Sequence, residues 1–569
     1  MTSTAATLVE TLEDLGVEYV FGYPGGRVIE LFEAVPDAEI DLVRPRDERE
    51  ASVMAEMYGR LTGAPGVLTG QGPWIGSIGM IGQMEARLAS SPMVVLTEAS
   101  ERGEYSTLAP YQQARGDYGG FSLPDILDGV SKEWWFPRTP VETIRSTQLA
   151  FKHAVAGRPG PTAVVLDGNA ITAEVPENPT PRAWDAAAQA RTWNAAPTAS
   201  DVASAVDVLE SAERPVIVAG NGVHAAQAYD ELAAVAETYD CAVVTSYLGK
   251  STYPETDERA AGVIGSFGHE GANRVVSEAD TLLVVGCRLN PMDTNWQAPE
   301  FIRPDEQTIV HADIDTRNAG WVYPADVGLI GDAAETLAML AEAGSGGPSN
   351  GWALERAAEA REWFDAPECT DDSAPIKPQR AAKAIQSAVD EDTIVTADSG
   401  NNRFWLLYYL QTPAVRTYFG SGGVGGMGWA NPAAVSAALA TDDETDVIAV
   451  AGDGGFSMTM NSVETAVEYG VAPTFVVLND TSLGMVRQMQ HEDGDIAGVE
   501  FHDTDFVRIA EAFGAVGKRV TEPSELAGVL ESAKAADVPH VIDVRIDREE
   551  DMAETLSSSF YESVGGLHE

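Results

Sequence analysis

Basic residues are scarce in this chain: 36 lysines and arginines stand against 88 aspartates and glutamates in 569 residues, a formal charge of -52. So acidic a surface repels polyanions, which excludes nucleic acid and anionic membranes as partners. The acids are spread through every segment rather than gathered in a tail, as in the solvated acidic shell of a halophilic protein. Cysteine is scarcer still. Cys241, Cys287 and Cys369 lie far apart without CxxC spacing, so neither a disulfide framework nor a zinc site is expected, and a reducing cytoplasm fits. There is no run of about 18 apolar residues, so no transmembrane helix is expected. The opening residues MTSTAATLVETLEDLGVEYVFG lack the basic and apolar regions of a signal peptide and pattern as an amphipathic helix.

What the chain does have is length and apolar content, 44% hydrophobic, enough to bury several cores, and three domains are expected. Short apolar runs alternate with helical patterns. Tyr19 to Phe21, Gly66 to Thr69, Met93 to Thr97 and Thr162 to Leu166 read as strands of a first domain over 1–175. Pro215 to Ala219, Ala242 to Thr245, Thr281 to Val285 and Thr308 to Ala312 build a second over 195–340. Thr393 to Thr396, Val447 to Ala451, Thr474 to Leu478 and Val541 to Val544 belong to a third over 377–569. Residues 171–200, and 343–376 with GSGGPSNG and DDSAPIKP, read as linkers. The expected class is α/β, with parallel sheets flanked by helices.

Chemistry concentrates in the third domain, in VIAVAGDGGFSMTMNSVETAVEYGVAPTFVVLNDTSLGMVRQMQ, residues 447–490. A strand breaks into Gly452-Asp453-Gly454-Gly455, a helix follows, and a second strand ends at Asn479-Asp480. In an open parallel sheet both strand ends face the binding crevice, which brings Asp453 and Asp480 to one rim. Such oxygen ligands suit a hard divalent cation such as Mg2+ shared with phosphate, and the glycines let backbone amides approach that phosphate. Two other patterns carry less. Gly220-Asn221-Gly222-Val223-His224-Ala225 lacks the acidic partner of a dinucleotide site, and Gly249-Lys250-Ser251 lacks the glycine a phosphate loop needs at position 244, which is Val.

Three blocks of the third domain resemble the diphosphate-binding domain of thiamine diphosphate enzymes, specifically the acetolactate synthase and 2-oxo acid decarboxylase superfamily. They are Asp398-Ser399-Gly400-Asn401-Asn402-Arg403-Phe404-Trp405, Ser421 to Trp429 (SGGVGGMGW), and the stretch just described through Gln488. In the first domain Gly22-Tyr23-Pro24-Gly25-Gly26, Glu48 to Arg60 and Gly157-Arg158-Pro159-Gly160-Pro161 extend the likeness to nearly the whole chain. The resemblance implies pyrimidine-binding, central Rossmann-like and diphosphate-binding domains in that order. It makes Asp453, Asp480 and the Ser482 carbonyl the metal ligands, and sets Gly25, Asn401, Asn402, Gly425, Met427, Gly452, Gly454, Gly455 and Met485 around the cofactor, with Met427 supporting its bent form. It also makes Glu48 the catalytic carboxylate: held against N1' of the aminopyrimidine, it favours the imino tautomer that removes the C2 proton, a role helped by burial that raises its pKa. From the residues alone, Asp47-Glu48-Arg49-Glu50 is a charged helix start favoured by the helix dipole. The implied assembly is a homodimer or tetramer whose active sites are shared between subunits.

The same resemblance exposes departures. Acetolactate synthases generally have asparagine where this chain has Asp480, and a loop that used Asn479 instead is the alternative. Their Arg-Phe-Asp-Asp-Arg run is Arg288-Leu289-Asn290-Pro291-Met292 here, and their Gln-Trp-Gln is Gln488-Met489-Gln490. The central domain of relatives holds FAD, ADP or nothing, and the eroded run favours nothing. Tyr111, Gln112 and Met489 are the expected substrate contacts, with Trp74, Arg115, Trp429 and His269 as further pocket candidates. The expected activity is decarboxylation of a 2-oxo acid with carboligation; a non-ligating decarboxylase or acyl-CoA lyase, and a noncatalytic cofactor-binding homologue, are the alternatives.

Overall fold

Eighteen strands among the described residues form three six-stranded sheets, and every pairing is parallel. The computed structural model describes residues 2–99, 108–109, 111–117, 119–177, 179–182, 184–441, 445–493 and 496–552, so the end of the expected third domain lies outside the described residues. The first sheet comprises β1 (Tyr19–Gly22), β2 (Asp41–Val43), β3 (Gly66–Gly70), β4 (Met93–Glu98), β5 (Glu133–Trp135) and β6 (Pro161–Leu166), in the order 2-1-3-4-6-5. The second comprises β7 (Pro215–Ala219), β8 (Ala242–Thr245), β9 (Ala260–Val263), β10 (Thr281–Val285), β11 (Thr308–Asp313) and β12 (Val327–Ile330), in the order 12-11-10-7-8-9. That is the doubly wound arrangement of dinucleotide-binding folds. The third comprises β13 (Thr393–Ala397), β14 (Tyr418–Gly420), β15 (Asp446–Gly452), β16 (Thr474–Asn479), β17 (Val516–Val520) and β18 (His540–Arg545), and repeats the order of the first as 14-13-15-16-18-17.

Interior strands of such sheets are covered by helices on both faces, which is why Val94, Val95, Leu282, Val284 and Val476 are all buried and why these strands read as unbroken apolar runs. The six edge strands β2, β5, β9, β12, β14 and β17 were not expected. Asp41, Glu133 and Gly328 are exposed, and Val516 to Val520 alternates toward solvent, so β2, β5, β12 and β17 carry too little apolar sequence to stand out, while β9 and β14 are buried but only four and three residues long, each with a glycine. The stretch 343–376, expected as a linker, also holds a helix, Trp352–Arg361, with Ala353, Ala357 and Ala360 in the second domain's core. Its glycine- and proline-rich flanks mask a good helix-forming sequence.

The chain falls into two compact units. One is Met1–Trp193 with Gly423–Gly425 and Val435–Ala440, and the other is Asn194–Gly422, Gly426–Ala434 and Thr441–Glu569. Within the second unit a single core joins the two sheets: Tyr247, Val263 and Phe267 pack with Phe404, Trp405, Ile448 and Val476. All three cysteines are buried and free. Among the described residues no helix is long and apolar enough to cross a membrane.

Candidate active site

Where neighbouring strands of an open parallel sheet lead off in opposite directions, their carboxyl ends leave a crevice. In the third sheet this point lies between β13 and β15, so the residues after Ala397 face those after Gly452. Gly452 of β15 stands opposite Leu478 of β16, and Asp453 and Asp480 follow at the ends of these adjacent strands. Burial holds both carboxyls above the usual carboxylate range, and the charge of Asp480 raises Asp453 further. A buried pair of like charges is what a hard divalent cation compensates, so the donor set fits Mg2+. Among the described residues no three His, Cys, Asp or Glu side chains gather into a metal site, which leaves the remaining ligands to backbone oxygen, water or phosphate.

Asn479 ends β16 buried; its Nδ2 donates to Asp543 Oδ1 at 2.7 Å and its Oδ1 accepts from the Thr481 N–H at 3.1 Å. Asp480, not Asn479, thus turns toward Asp453. Thr481 adopts a left-handed φ of 58°, and the Ser482 N–H folds back onto Asp480 Oδ1 at 2.9 Å. Ser482 is buried beside Asp480. Asn401 donates from Nδ2 to Gln488 Oε1 at 2.9 Å, while its own Oδ1 is buried without a partner. A Cβ on Gly484 would meet Asp480 and lie 3.5 Å from Asn401 Nδ2, so Asn401 borders the carboxylate pair. Asn402 is different: its Nδ2 bonds the carbonyls of Asp398 at 2.8 Å and Val450 at 3.3 Å, and only its Oδ1 faces Gly452.

A Cβ on Gly454 would lie 3.2 Å from Met427 Cε, 2.9 Å from Leu483 Cδ2 and 3.0 Å from Phe501 Cε2, so Met427 and the glycine turn form one cradle. Gly425 takes a φ of 72°, open to glycine alone at little cost. Met485 and Met489 are half-buried on the helix Gly484–Asp493, Met485 against the core. Asp398 is fully buried at the end of β13 and accepts the N–H groups of Gly428, Trp429 and Ala430. An acid directly after an apolar strand was the signal for it, and reading the sequence assigned it no role.

In the first unit the corresponding crevice lies between β1 and β3. Glu48 begins the helix Glu48–Thr62, whose cap Asp47 accepts the Glu50 N–H at 3.0 Å. The helix start is not a solvated charged face: Glu48 is 7% exposed and Glu50 1%. Burial raises the Glu48 carboxyl, with the Asp47 charge adding to it, and burial pushes Glu50 up to about 8. Glu48 Cγ lies 3.5 Å from where a Cβ on Gly70 would be, at the end of β3. Gly25 faces Gln71 in the same sense, 3.1 Å from its Oε1. Gln71 escaped the sequence reading, although it directly follows β3. It accepts from Trp74 Nε1 at 3.2 Å and donates to Gln112 Oε1 at 3.0 Å, joining two expected pocket residues. Tyr111 is 71% exposed.

The other pocket candidates have structural surroundings. Arg115 pairs with Asp167 at 3.6 Å, the Trp429 backbone binds Asp398, and His269 is fully buried with Nε2 on the Tyr408 carbonyl at 2.9 Å. In the second sheet the amides of Gly220 and Gly222 bond Val285 and Gly286 carbonyls at 2.9 Å each, so they are not free to face a pyrophosphate. Lys250 is buried against Glu255, with Nζ–Oε2 2.5 Å.

Three family models match the chain: the N-terminal TPP binding domain of thiamine pyrophosphate enzymes over residues 2–118, their central domain over 202–340, and their C-terminal TPP binding domain over 398–544. The chain is 31% identical to a probable acetolactate synthase large subunit of Methanocaldococcus jannaschii, over 95% of this chain and 92% of the relative. It is 32% identical to the acetolactate synthase isozyme 3 large subunit of Escherichia coli, over 94% and 92%, and 29% identical to the acetolactate synthase large subunit of Lactococcus lactis, over 100% and 96%.

Proposed function

We infer that this protein, which belongs to the thiamine pyrophosphate enzyme family and within it is acetolactate synthase-like, decarboxylates a 2-oxo acid with the help of Mg2+ and joins the product to a second carbonyl compound. The observation that carries this reading is the buried Asp453–Asp480 pair beside the Gly454–Met427 cradle, a place for a divalent cation and a diphosphate at one sheet edge. Bound there, thiamine diphosphate supplies the nucleophilic carbon and the electron sink of the reaction. The chain's own residues hold and time it. Asp453, Asp480 and Ser482 would hold the cation, the Gly452–Gly455 turn would receive the diphosphate, and Met427 would lie against the cofactor. Glu48, whose carboxyl burial raises, would exchange the proton at the aminopyrimidine nitrogen. Domains over 1–175, 195–340 and 377–569 would then be the pyrimidine-binding, central and diphosphate-binding parts, with Glu48 and Asp453 of each site coming from different subunits of a homodimer.

Met489, where the related synthases have tryptophan, leaves a less defined acceptor site, and a non-ligating decarboxylase is the second reading. Incubation with thiamine diphosphate, Mg2+ and pyruvate in high salt separates them. Acetolactate, read as acetoin colour after acidification, supports ligation, aldehyde without it supports simple decarboxylation, and no carbon dioxide from any of a panel of 2-oxo acids overturns both.

A further inference from the structure

Asp398 stands out among the buried charges near this site because the groups bonded to its carboxylate are backbone amides. Its Oδ2 accepts the Gly428 N–H at 2.9 Å, and its Oδ1 accepts Trp429 at 2.8 Å and Ala430 at 3.4 Å. These three amides join the loop bearing Met427 to the start of the helix Ala430–Ala440. On its other side Oδ2 lies against Gly455, where any Cβ would collide with it. One carboxylate therefore touches both walls of the cradle, the loop behind Met427 and the glycine turn after Asp453. A second tie runs parallel: Thr459 Oγ1 donates to the Gly428 carbonyl at 3.0 Å and accepts from Asn431 Nδ2 at 3.1 Å, just past the turn's short helix.

We propose that Asp398 is a positioning residue for thiamine diphosphate, setting the separation between Met427 and the Gly452–Gly455 turn without touching the cofactor. This rests on the reading of the site given above. The physical argument is that a carboxylate accepts at both oxygens, whereas the isosteric amide accepts at one and presents N–H groups at the other. At position 398 the amide would face either Gly428 or Trp429 donor to donor. The lost bond and the unpaired buried N–H would shift the loop rather than be absorbed by water. Met427, one residue before Gly428, would move with it.

The test is direct binding to the full-length protein. Thiamine diphosphate titrated at saturating Mg2+, followed by quenching of tryptophan fluorescence, should give a dissociation constant raised at least tenfold in Asp398→Asn, with kcat falling more than the KM for the 2-oxo acid changes. Asp398→Glu, which keeps both acceptor oxygens and the charge but drives the longer side chain against Gly455, should show the same loss and covers the case in which Asp398→Asn fails to fold. If the wild-type protein does not bind the cofactor, the reading of the site fails. If it does, and the folded variants bind with the wild-type constant, the positioning role is overturned, and a drop in thermal midpoint alone marks Asp398 as merely structural.

Discussion

Glu48 shows how local context changes what a residue can do. Two positions into a charged helix start, a glutamate is ordinarily a solvated partner of the helix dipole. Here the first turn is buried beside the end of β3, and desolvation raises the carboxyl, which suits a group that must take up and release a proton. Glu48→Gln should retain the fold and lower turnover by about 100-fold or more, the usual contribution of a positioned acid–base group, measured as carbon dioxide release. The Asp480→Asn variant isolates the other unusual position. With one carboxylate fewer facing the cation, Mg2+ affinity in a calorimetric titration should fall.

His269 belongs to the same scale, with an effect on stability rather than chemistry. Burial first, then the nearby Lys250 charge, lower it from 6.5 to about 4, against the hydrogen bond to the Tyr408 carbonyl. The folded form keeps the ring neutral, so the unfolded chain takes up the proton first as pH falls. Its stabilisation is present above about 6.5 and is lost progressively between 6.5 and 4, by about 3 kcal/mol at most. Asp398 works in the opposite sense, because burial pushes it up to about 6 against its backbone hydrogen bonds, so the folded state takes up this proton at a higher pH than the unfolded chain does. Comparison of denaturation midpoints for wild type and His269→Gln across this range isolates the histidine, and the variant should lose less stability on acidification.

At the scale of elements, the edge strands explain what was legible. Interior strands such as Thr281–Val285 and Pro215–Ala219 have both faces covered, so their sequences are apolar throughout and were expected at these positions. Asp41–Val43 or Val516–Val520, paired on one side only, can carry Asp41, Lys518 and Arg519, and nothing local distinguishes them from loops. The same logic hid the connection between the second and third sheets. Lys250 follows β8 after a short turn, yet its ammonium contacts Glu255 and the Leu410 carbonyl at 2.9 Å, far away in sequence, while Glu255 Oε2 accepts the Thr412 N–H at 2.9 Å. Glu255→Ala leaves that ammonium buried and unpaired and should cost about 3–5 kcal/mol. Lys250→Met combined with Glu255→Leu should cost less, because no charge is stranded, and chemical denaturation of the two variants compares them.

At the scale of the whole molecule, charge and assembly set the behaviour. A formal charge of -52 makes self-repulsion a global term that salt screens. The thermal midpoint should rise steeply as KCl is raised from low to molar concentrations, measured by scanning fluorimetry. If each site takes Glu48 from one subunit and Asp453 from its partner, mixing inactive Glu48→Gln and Asp453→Asn proteins under exchange conditions should restore activity, since a mixed dimer contains one site with both native residues. Failure of mixed dimers to regain turnover would place both residues in one chain's site.

The sequence by itself determined the α/β class, the interior strands, the glycine turn and the acids at its strand ends, because each of these is written in contiguous residues: apolar runs, a GDGG break, a residue type at a strand end. The tertiary structure alone decided which of two adjacent residues, Asn479 or Asp480, turns to the site, that Gln71 links Trp74 with Gln112, and that Asp398 grips both walls of the cradle. Those depend on what a side chain meets in the fold, for the most part tens of residues away, and a hydrogen bond with two possible acceptors is chosen by burial and register that no local stretch encodes.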